Sequence, residues 1–206
     1  MTQREFYRLG GLALIVGGLL AATAHVLHIE APTDPARLAH YAHVSQPIHL
    51  LLFAGGVLVL LGWFAQFALQ SVRSGVFGLL GFLTLFFGIL LADILHCVLE
   101  FSIFPLLIAS VPYATPALAE NVYRSTPFAL LQNAGQVLVV IGVPLSAFSI
   151  FRSHVLAAWS AVPMAITAVL TIMAFLPWTS GVVGPHYVIG LYLSMATLGV
   201  AVLRAV

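Results

Sequence analysis

Apolar runs of membrane-spanning length dominate the sequence. A helix of about 20 mainly apolar residues crosses the hydrocarbon core of a bilayer. Six runs qualify, and they predict transmembrane helices at residues 9–29, 47–70, 76–99, 127–150, 154–176 and 185–203. Only 6% of the 206 residues are charged, against roughly 25% in soluble domains. We therefore predict an all-α integral membrane protein, a six-transmembrane-helix bundle that forms a single transmembrane domain over residues 1–206.

The first apolar run resembles a secretion signal peptide. Arg4 and Arg8 precede the apolar residues 9–20, and the small residues at 22–24 resemble a cleavage site. The apolar stretch continues toward Ile29, which gives it spanning length. We interpret it as a retained helix.

Proline marks the starts of three predicted helices. Pro47, Pro127 and Pro185 each stand where a helix would begin, a position at which the missing proline N–H costs nothing. The third run stays apolar through Ile108, too long for one perpendicular span, so it is expected to protrude, tilt or kink near Pro105.

Positive charge predicts the orientation, because cytoplasmic loops retain arginine and lysine. Five arginines share one side of the predicted bundle: Arg4, Arg8, Arg73, Arg152 and Arg204. Only Arg37 and Arg124 lie on the other side, so both termini are expected to be cytoplasmic in a bacterial-type inner membrane. The two long loops would then be outside, each with a short interfacial helix, at residues 34–41 and 115–123. The chain has no lysine and a net charge of +1, so we expect no nucleic-acid partner. The lipid bilayer is its expected partner. The sequence leaves the oligomeric state open.

A weak internal repeat runs along the chain. A shift of 71 residues places the first predicted helix on the third, with His25 on His96, and a shift of 80 places the second on the fourth, with Gly55 on Gly135. We hypothesise that the chain is a tandem of three helical hairpins. The alternative is that sequences built from a few apolar residue types match one another by chance.

Seven of the eight histidines share one membrane face, the outer face under the orientation above. His25 and His28 end the first predicted helix, while His49, His96 and His186 lie near ends of the second, third and sixth. A histidine at a helix end is often only an interfacial residue, which is how we interpret the remaining three: His40, His43 and His154. Three tryptophans are also expected at the interfaces: Trp63, Trp159 and Trp178.

The third predicted helix carries the densest polar set. Asp93, His96 and Glu100 follow the spacing i, i+3 and i+7, which is one helical face. A carboxylate one turn from a histidine can orient the imidazole of a metal or haem ligand, or relay protons. Supporting or proton-relaying roles are therefore expected for Asp93, Glu100 and three polar residues of the fourth helix: Gln132, Asn133 and Gln136.

The first functional hypothesis is haem b held between helices near the extracytoplasmic face. Histidines on facing helices supply axial ligands to such haems, and the repeat pairs His25 with His96, with His49 or His186 as substitutes. The chain would then be a cytochrome b-like membrane redox protein, an oxidoreductase in electron transfer with a quinone or a redox partner protein.

Two other hypotheses remain. One is a metal-dependent membrane enzyme or metal-handling protein that holds a zinc, copper or iron ion with some of the residues His25, His28, His49, His96 and Glu100. The other is a small-solute or ion transporter, or an accessory membrane subunit, although few polar residues are evident in the inner half. No serine nucleophile elbow, phosphate-binding glycine loop or paired redox cysteine is present. Whether the chain is an enzyme is left open by the sequence.

Overall fold

The computed structural model describes residues 1–29, 32, 34–110, 121, 124–179, 183 and 186–206, and within these ranges every regular element is helical. The main helices are α1 (Gln3–Leu27), α2 (Leu38–Ser110), α3 (Thr126–Ser153), α4 (Ala161–Ala174) and α5 (His186–Ala205). All but α4 are long and apolar enough to cross a membrane. The all-helical class is thus confirmed, and the count of six spanning helices stays a prediction. The predicted helix start at Pro185 and, apart from Asn121, the predicted loop helix at 115–123 lie outside the described residues.

The long helix α2 consists of two arms that meet at Gly75. This glycine has φ 61° and ψ −158°, a conformation that L side chains rarely adopt. The first arm (38–74) and the second arm (76–110) then run antiparallel, and the Trp63 indole N–H of the first donates to the Phe82 carbonyl of the second at 3.4 Å. Trp63 is 1% exposed, so its expected interfacial position is wrong, whereas the other two tryptophans are exposed.

The first arm begins earlier than predicted. Its first residue is Leu38, so the prediction of a start at Pro47 is wrong. The short helix predicted at 34–41 is a 3₁₀ turn at Pro35–Arg37 that leads directly into the first turn of α2. The reason is an apolar contact, because Leu38 and Tyr41 form a small core with Phe104 and Ile108 of the second arm. Burial of this face outweighs the one backbone hydrogen bond that an internal proline removes.

The second arm continues past residue 99 to Ser110, as its length predicted, and contains two π-helical turns, at Leu90–Ile94 and Leu99–Ile103. The second π turn ends just before Pro105, where the kink was expected. Proline at this position cannot donate to the carbonyl of Phe101, four residues earlier. The Gln46 side chain of the first arm donates to that carbonyl instead, at 3.0 Å.

The third and fourth described helices have different boundaries from their predictions. Helix α3 begins after Ser125, with proline in its first turn as predicted, and ends at Ser153 because His154 adopts the left-handed conformation (φ 52°). The predicted helix at 154–176 is therefore shorter, a 3₁₀ turn at Ala158–Ser160 followed by the 14 residues of α4.

Glycine lets α1 approach the first arm closely. A Cβ atom added to Gly17 would lie 2.7 Å from the Gly55 carbonyl oxygen, and one added to Gly55 would lie 2.7 Å from the backbone nitrogen of Ala21. Real Cβ contacts are almost never so short. The two backbones therefore touch along a seam that only glycine permits, the usual role of small residues between membrane helices.

The same seam recurs between the second arm and α3. A Cβ added to Gly88 would lie 3.2 Å from the Gly135 carbonyl oxygen, and one added to Gly135 would lie 2.5 Å from the backbone nitrogen of Ala92. These are the residues that shifts of 71 and 80 assign to Gly17, Gly55 and Ala21. The two helix pairs thus share one packing register and run in the same direction, like the parallel repeats of some transporters. A third hairpin stays a prediction.

Both termini lie at one end of the bundle. The Arg4 guanidinium donates to the carbonyl of Val206 at 2.8 Å, and the Ser153 hydroxyl donates to the Gln70 side chain at 3.4 Å, which brings the end of α3 beside the Gly75 bend. The five arginines predicted to share a side do lie at this end. The histidine-bearing ends of α1 and both arms lie at the other.

Candidate metal centre

Three imidazoles converge where α1 and the two arms of α2 meet. His28 follows the last turn of α1, His49 lies in the first arm, and His96 lies between the two π turns of the second arm. One nitrogen from each ring lies within 4.8 Å of the others. The ring centroids are 5.1 Å apart for His28 and His49, 5.4 Å for His49 and His96, and 6.4 Å for His28 and His96. We call this group the histidine triad.

The orientation of His49 is set by the backbone. Its side chain is fully buried, and its Nδ1 atom lies 2.9 Å from the Ser45 carbonyl oxygen. A carbonyl can only accept, so Nδ1 carries the proton and Nε2 keeps its lone pair. That Nε2 atom is buried and has no hydrogen-bond partner among the described residues. A ring held by a backbone carbonyl, with the opposite nitrogen free, is the usual arrangement of a metal-ligating histidine.

The spacing of the triad suits a small transition-metal ion. Zn–N bonds of about 2.0–2.1 Å place two tetrahedral ligands about 3.4 Å apart, so shifts on the order of 1 Å close the three nitrogens on an ion. His28 is exposed and lies beyond the end of α1, so its side chain has room for such a shift. His49 is the rigid member of the three.

A cavity of about 380 Å³ adjoins the triad, and all five main helices border it. Its polar wall is formed by His25, His28, Asp93, His96, Gln132 and Gln136. Its apolar wall includes Leu52, Ala174, Phe175 and Val188. An ion held by the triad would therefore face a space large enough for a small organic molecule.

Asp93 projects into this cavity in a defined orientation. The Tyr192 hydroxyl donates to its Oδ2 atom at 2.6 Å, and the Nε2 atom of His25 lies 3.9 Å from the same oxygen. The His25 ring stacks on Tyr192 at a centroid distance of 5.5 Å and an angle of 26°. Tyr192 is fully buried, whereas the Asp93 side chain remains 19% exposed. The buried Tyr192 hydroxyl thus fixes one oxygen of the carboxylate, while the carboxylate stays accessible from the cavity.

Glu100 occupies a different environment from Asp93 and His96. It is 2% exposed, accepts a hydrogen bond from the Tyr41 hydroxyl at 3.3 Å, and is not part of the cavity lining. The π turn at Leu99–Ile103 helps to separate Glu100 from the other two residues. A π turn changes the rotation per residue, and the i, i+3, i+7 spacing marks one helical face only in a regular α-helix. The single polar face predicted for this helix is therefore divided between the cavity and the first arm.

The other candidate histidines and amides are not members of the triad. His25 contacts Asp93 and Tyr192, and His186 is exposed at the start of α5. Gln132 and Gln136 line the cavity, while Asn133 is exposed and does not. His40, His43 and His154, which we interpreted as interfacial, are all exposed.

Several polar contacts were missed from the sequence. The hydroxyls of Tyr192 and Tyr41 bond to the two carboxylates, and neither residue was a candidate. In the half of the bundle nearer the termini, Gln66 is fully buried and Gln70 is 3% exposed. Amide side chains inside an apolar run were the signal for this second polar group.

Comparisons with protein-family models, with curated proteins and with solved structures found no match for this chain. The fold and the site alone therefore define its class. It is an all-helical chain with helices of membrane-spanning length and three imidazoles converging beside a cavity.

Proposed function

We propose that this chain is an integral membrane protein that binds one transition-metal ion of the zinc class through His28, His49 and His96. The observation that carries the proposal is the convergence of three imidazole nitrogens, within 4.8 Å, from separate segments of the chain. The two arms of α2 and the shorter α4 complete a bundle of six helices, and the arginine-rich end is cytoplasmic in a bacterial-type inner membrane.

The chemistry of the ligands favours this ion class. Imidazole suits zinc, copper and iron, and three neutral histidines with an open position are typical of catalytic zinc sites. The unpaired, fully buried Nε2 of His49 supports the proposal further, because an unsatisfied buried polar atom costs about 1–3 kcal/mol. A bound ion would remove that cost.

The fourth coordination position would face the cavity. His28 and His96 both line it, whereas His49 lies behind them and is fully buried. Water or a substrate atom entering the cavity could therefore reach the ion. An accessible ion favours an enzyme or a metal-handling protein over a purely structural site.

A second candidate function is the binding of haem b by His25 and His96. The observation that favours it is the repeated glycine seam, since the shift of 71 that relates Gly17 to Gly88 also relates these two histidines. Both line the cavity. The protein would then be a membrane redox protein, and its absorption spectrum distinguishes it from the metal centre.

The test is metal content and absorption of protein purified through a histidine-free affinity tag. We expect one zinc ion per chain by elemental analysis and no Soret band. His49→Ala and His96→Ala should each lose stoichiometric zinc because two imidazoles hold the ion too weakly to survive purification. The exposed His40→Ala serves as the matched control and should retain the ion.

Two outcomes would reverse these conclusions. A Soret band that disappears in His25→Ala and His96→Ala would establish the haem site instead. A colourless protein that binds no metal, even after incubation with zinc, would show that the proposed metal function is wrong.

A further inference from the structure

We infer that the metal centre is hydrolytic, that Asp93 is its general base, and that its substrate is a small acyl compound, an ester or an amide. The inference rests on the proposed function, because it needs an ion on the histidine triad. It goes further by assigning a reaction, a substrate class and the residue that moves the proton.

The position of Asp93 carries the inference. It lines the same cavity as His28 and His96, and its carboxylate is held through one oxygen by the Tyr192 hydroxyl at 2.6 Å. Tyr192 is fully buried, its hydroxyl bonds to Asp93, and its ring stacks on His25. A buried hydroxyl that orients an accessible carboxylate toward a cavity is how enzymes position a base.

The reaction balances with water as the only co-reactant. Asp93 accepts a proton from the attacking water while the water oxygen bonds to the carbonyl carbon of the substrate. The bond from that carbon to the leaving oxygen or nitrogen then breaks, and Asp93 returns the proton to the leaving atom. The products are a carboxylic acid and an alcohol or amine. An ion on the triad would supply the positive charge that makes the water acidic and stabilises the developing oxyanion.

The remaining cavity walls indicate the substrate class. Gln132 and Gln136 lie one turn apart on α3 and offer amide N–H donors to a carbonyl oxygen. Leu52, Phe175 and Val188 form an apolar wall suited to a short hydrocarbon chain. A volume of about 380 Å³ lies near the lower end of the roughly 300–1,000 Å³ of small-molecule sites, so the acyl compound is small.

The test follows hydrolysis of p-nitrophenyl acetate by the zinc-loaded protein in detergent, with zinc content measured on the same samples. We expect zinc-dependent release of p-nitrophenol that is lost on chelation and restored by zinc. Asp93→Asn should lower kcat by about 10²–10⁴-fold with zinc content unchanged. Tyr192→Phe, which removes only the positioning hydroxyl, should lower kcat by about 10–100-fold and leave KM unchanged.

Matched controls lie outside the cavity lining. Asp34→Asn and Tyr7→Phe make the same chemical changes at exposed or peripheral positions and should retain wild-type rates. If zinc-loaded wild type hydrolyses the ester no faster than Asp93→Asn, the hydrolytic inference is wrong and the metal centre stands. If Tyr192→Phe also keeps the wild-type kcat, Asp93 is not positioned as described. If wild type binds no zinc, the proposed function itself has failed, and the zinc measurement reports this separately.

Discussion

Two buried glutamines of the first arm differ in their partners. Gln70 accepts a hydrogen bond from the Ser153 hydroxyl, but neither amide atom of Gln66 has a hydrogen-bond partner within the described residues. Both side chains are almost completely buried. A buried polar atom without a partner costs about 1–3 kcal/mol, so these neighbouring residues should contribute to stability with opposite signs.

We therefore predict that Gln66→Met raises the free energy of unfolding by about 1–3 kcal/mol, because methionine fills the space without polar atoms. Gln70→Met should lower it by about 0.5–1.5 kcal/mol through loss of the Ser153 hydrogen bond. Equilibrium unfolding in detergent measures both. A loss of stability in Gln66→Met would show that its amide holds an internal water or another ligand.

At the scale of single elements, the two glycine seams hold the helix pairs in one register. Gly55 faces Ala21 across the first seam and Gly135 faces Ala92 across the second, each with room for no added methyl group. Because the opposing atoms are backbone, neither side can move aside as a side chain would. The seams therefore set how closely the histidine-bearing helices approach one another.

Gly55→Ala and Gly135→Ala should each destabilise the fold by about 1–3 kcal/mol, the usual cost of overpacking a core. Gly55→Ala should also weaken zinc binding, because the first seam positions the end of α1 that leads to His28. Gly190→Ala is the control, since a Cβ atom added there would meet no backbone atom and would lie 3.2 Å from the Thr167 hydroxyl oxygen, a side-chain atom. Its stability should be unchanged or slightly raised, as alanine is the better helix former. Equal effects at all three positions would contradict the role of the seams.

The elements themselves were predictable to different degrees. The apolar runs located α3 and α5 to within three residues at each end, because a membrane-type helix needs a local apolar run and little else. The start of α1 was placed at residue 9, whereas the helix begins at Gln3, where Thr2 caps it. The start of α2 and its π turns were not predictable. They depend on contacts between residues about 60 positions apart, such as Tyr41 with Phe104 and Gln46 with Phe101.

For the whole molecule, the charged and histidine-bearing ends are opposite. Arg4 contacts the last residue of the chain, Arg204 stacks over Trp159 at 5.7 Å, and the Gly75 bend lies at the same end. This common end carries most of the positive charge, which is why we propose that it is cytoplasmic.

Labelling of single cysteines in intact spheroplasts tests this orientation. In a Cys97→Ser background, Arg73→Cys should react with a membrane-impermeant maleimide only after lysis, whereas Asp34→Cys should react before it. Both positions are exposed, and Cys97 is buried. The opposite pattern would place the histidine triad on the cytoplasmic side, without affecting the metal-binding proposal.

The sequence by itself determined the depth of each candidate residue. Because an apolar helix rises about 1.5 Å per residue, the position of a residue in its run assigns it to one end of the bundle. This placed the histidines, the arginines and Asp93. The shifts of 71 and 80 residues likewise gave the register of the predicted repeat. Depth does not determine which side of a helix faces which neighbour. Only the tertiary structure brought His28, His49 and His96 together, turned Glu100 toward Tyr41, and joined Asp93 to Tyr192 across 99 positions of the chain. These contacts depend on close backbone packing and on π turns, both of which arise from interactions between distant segments.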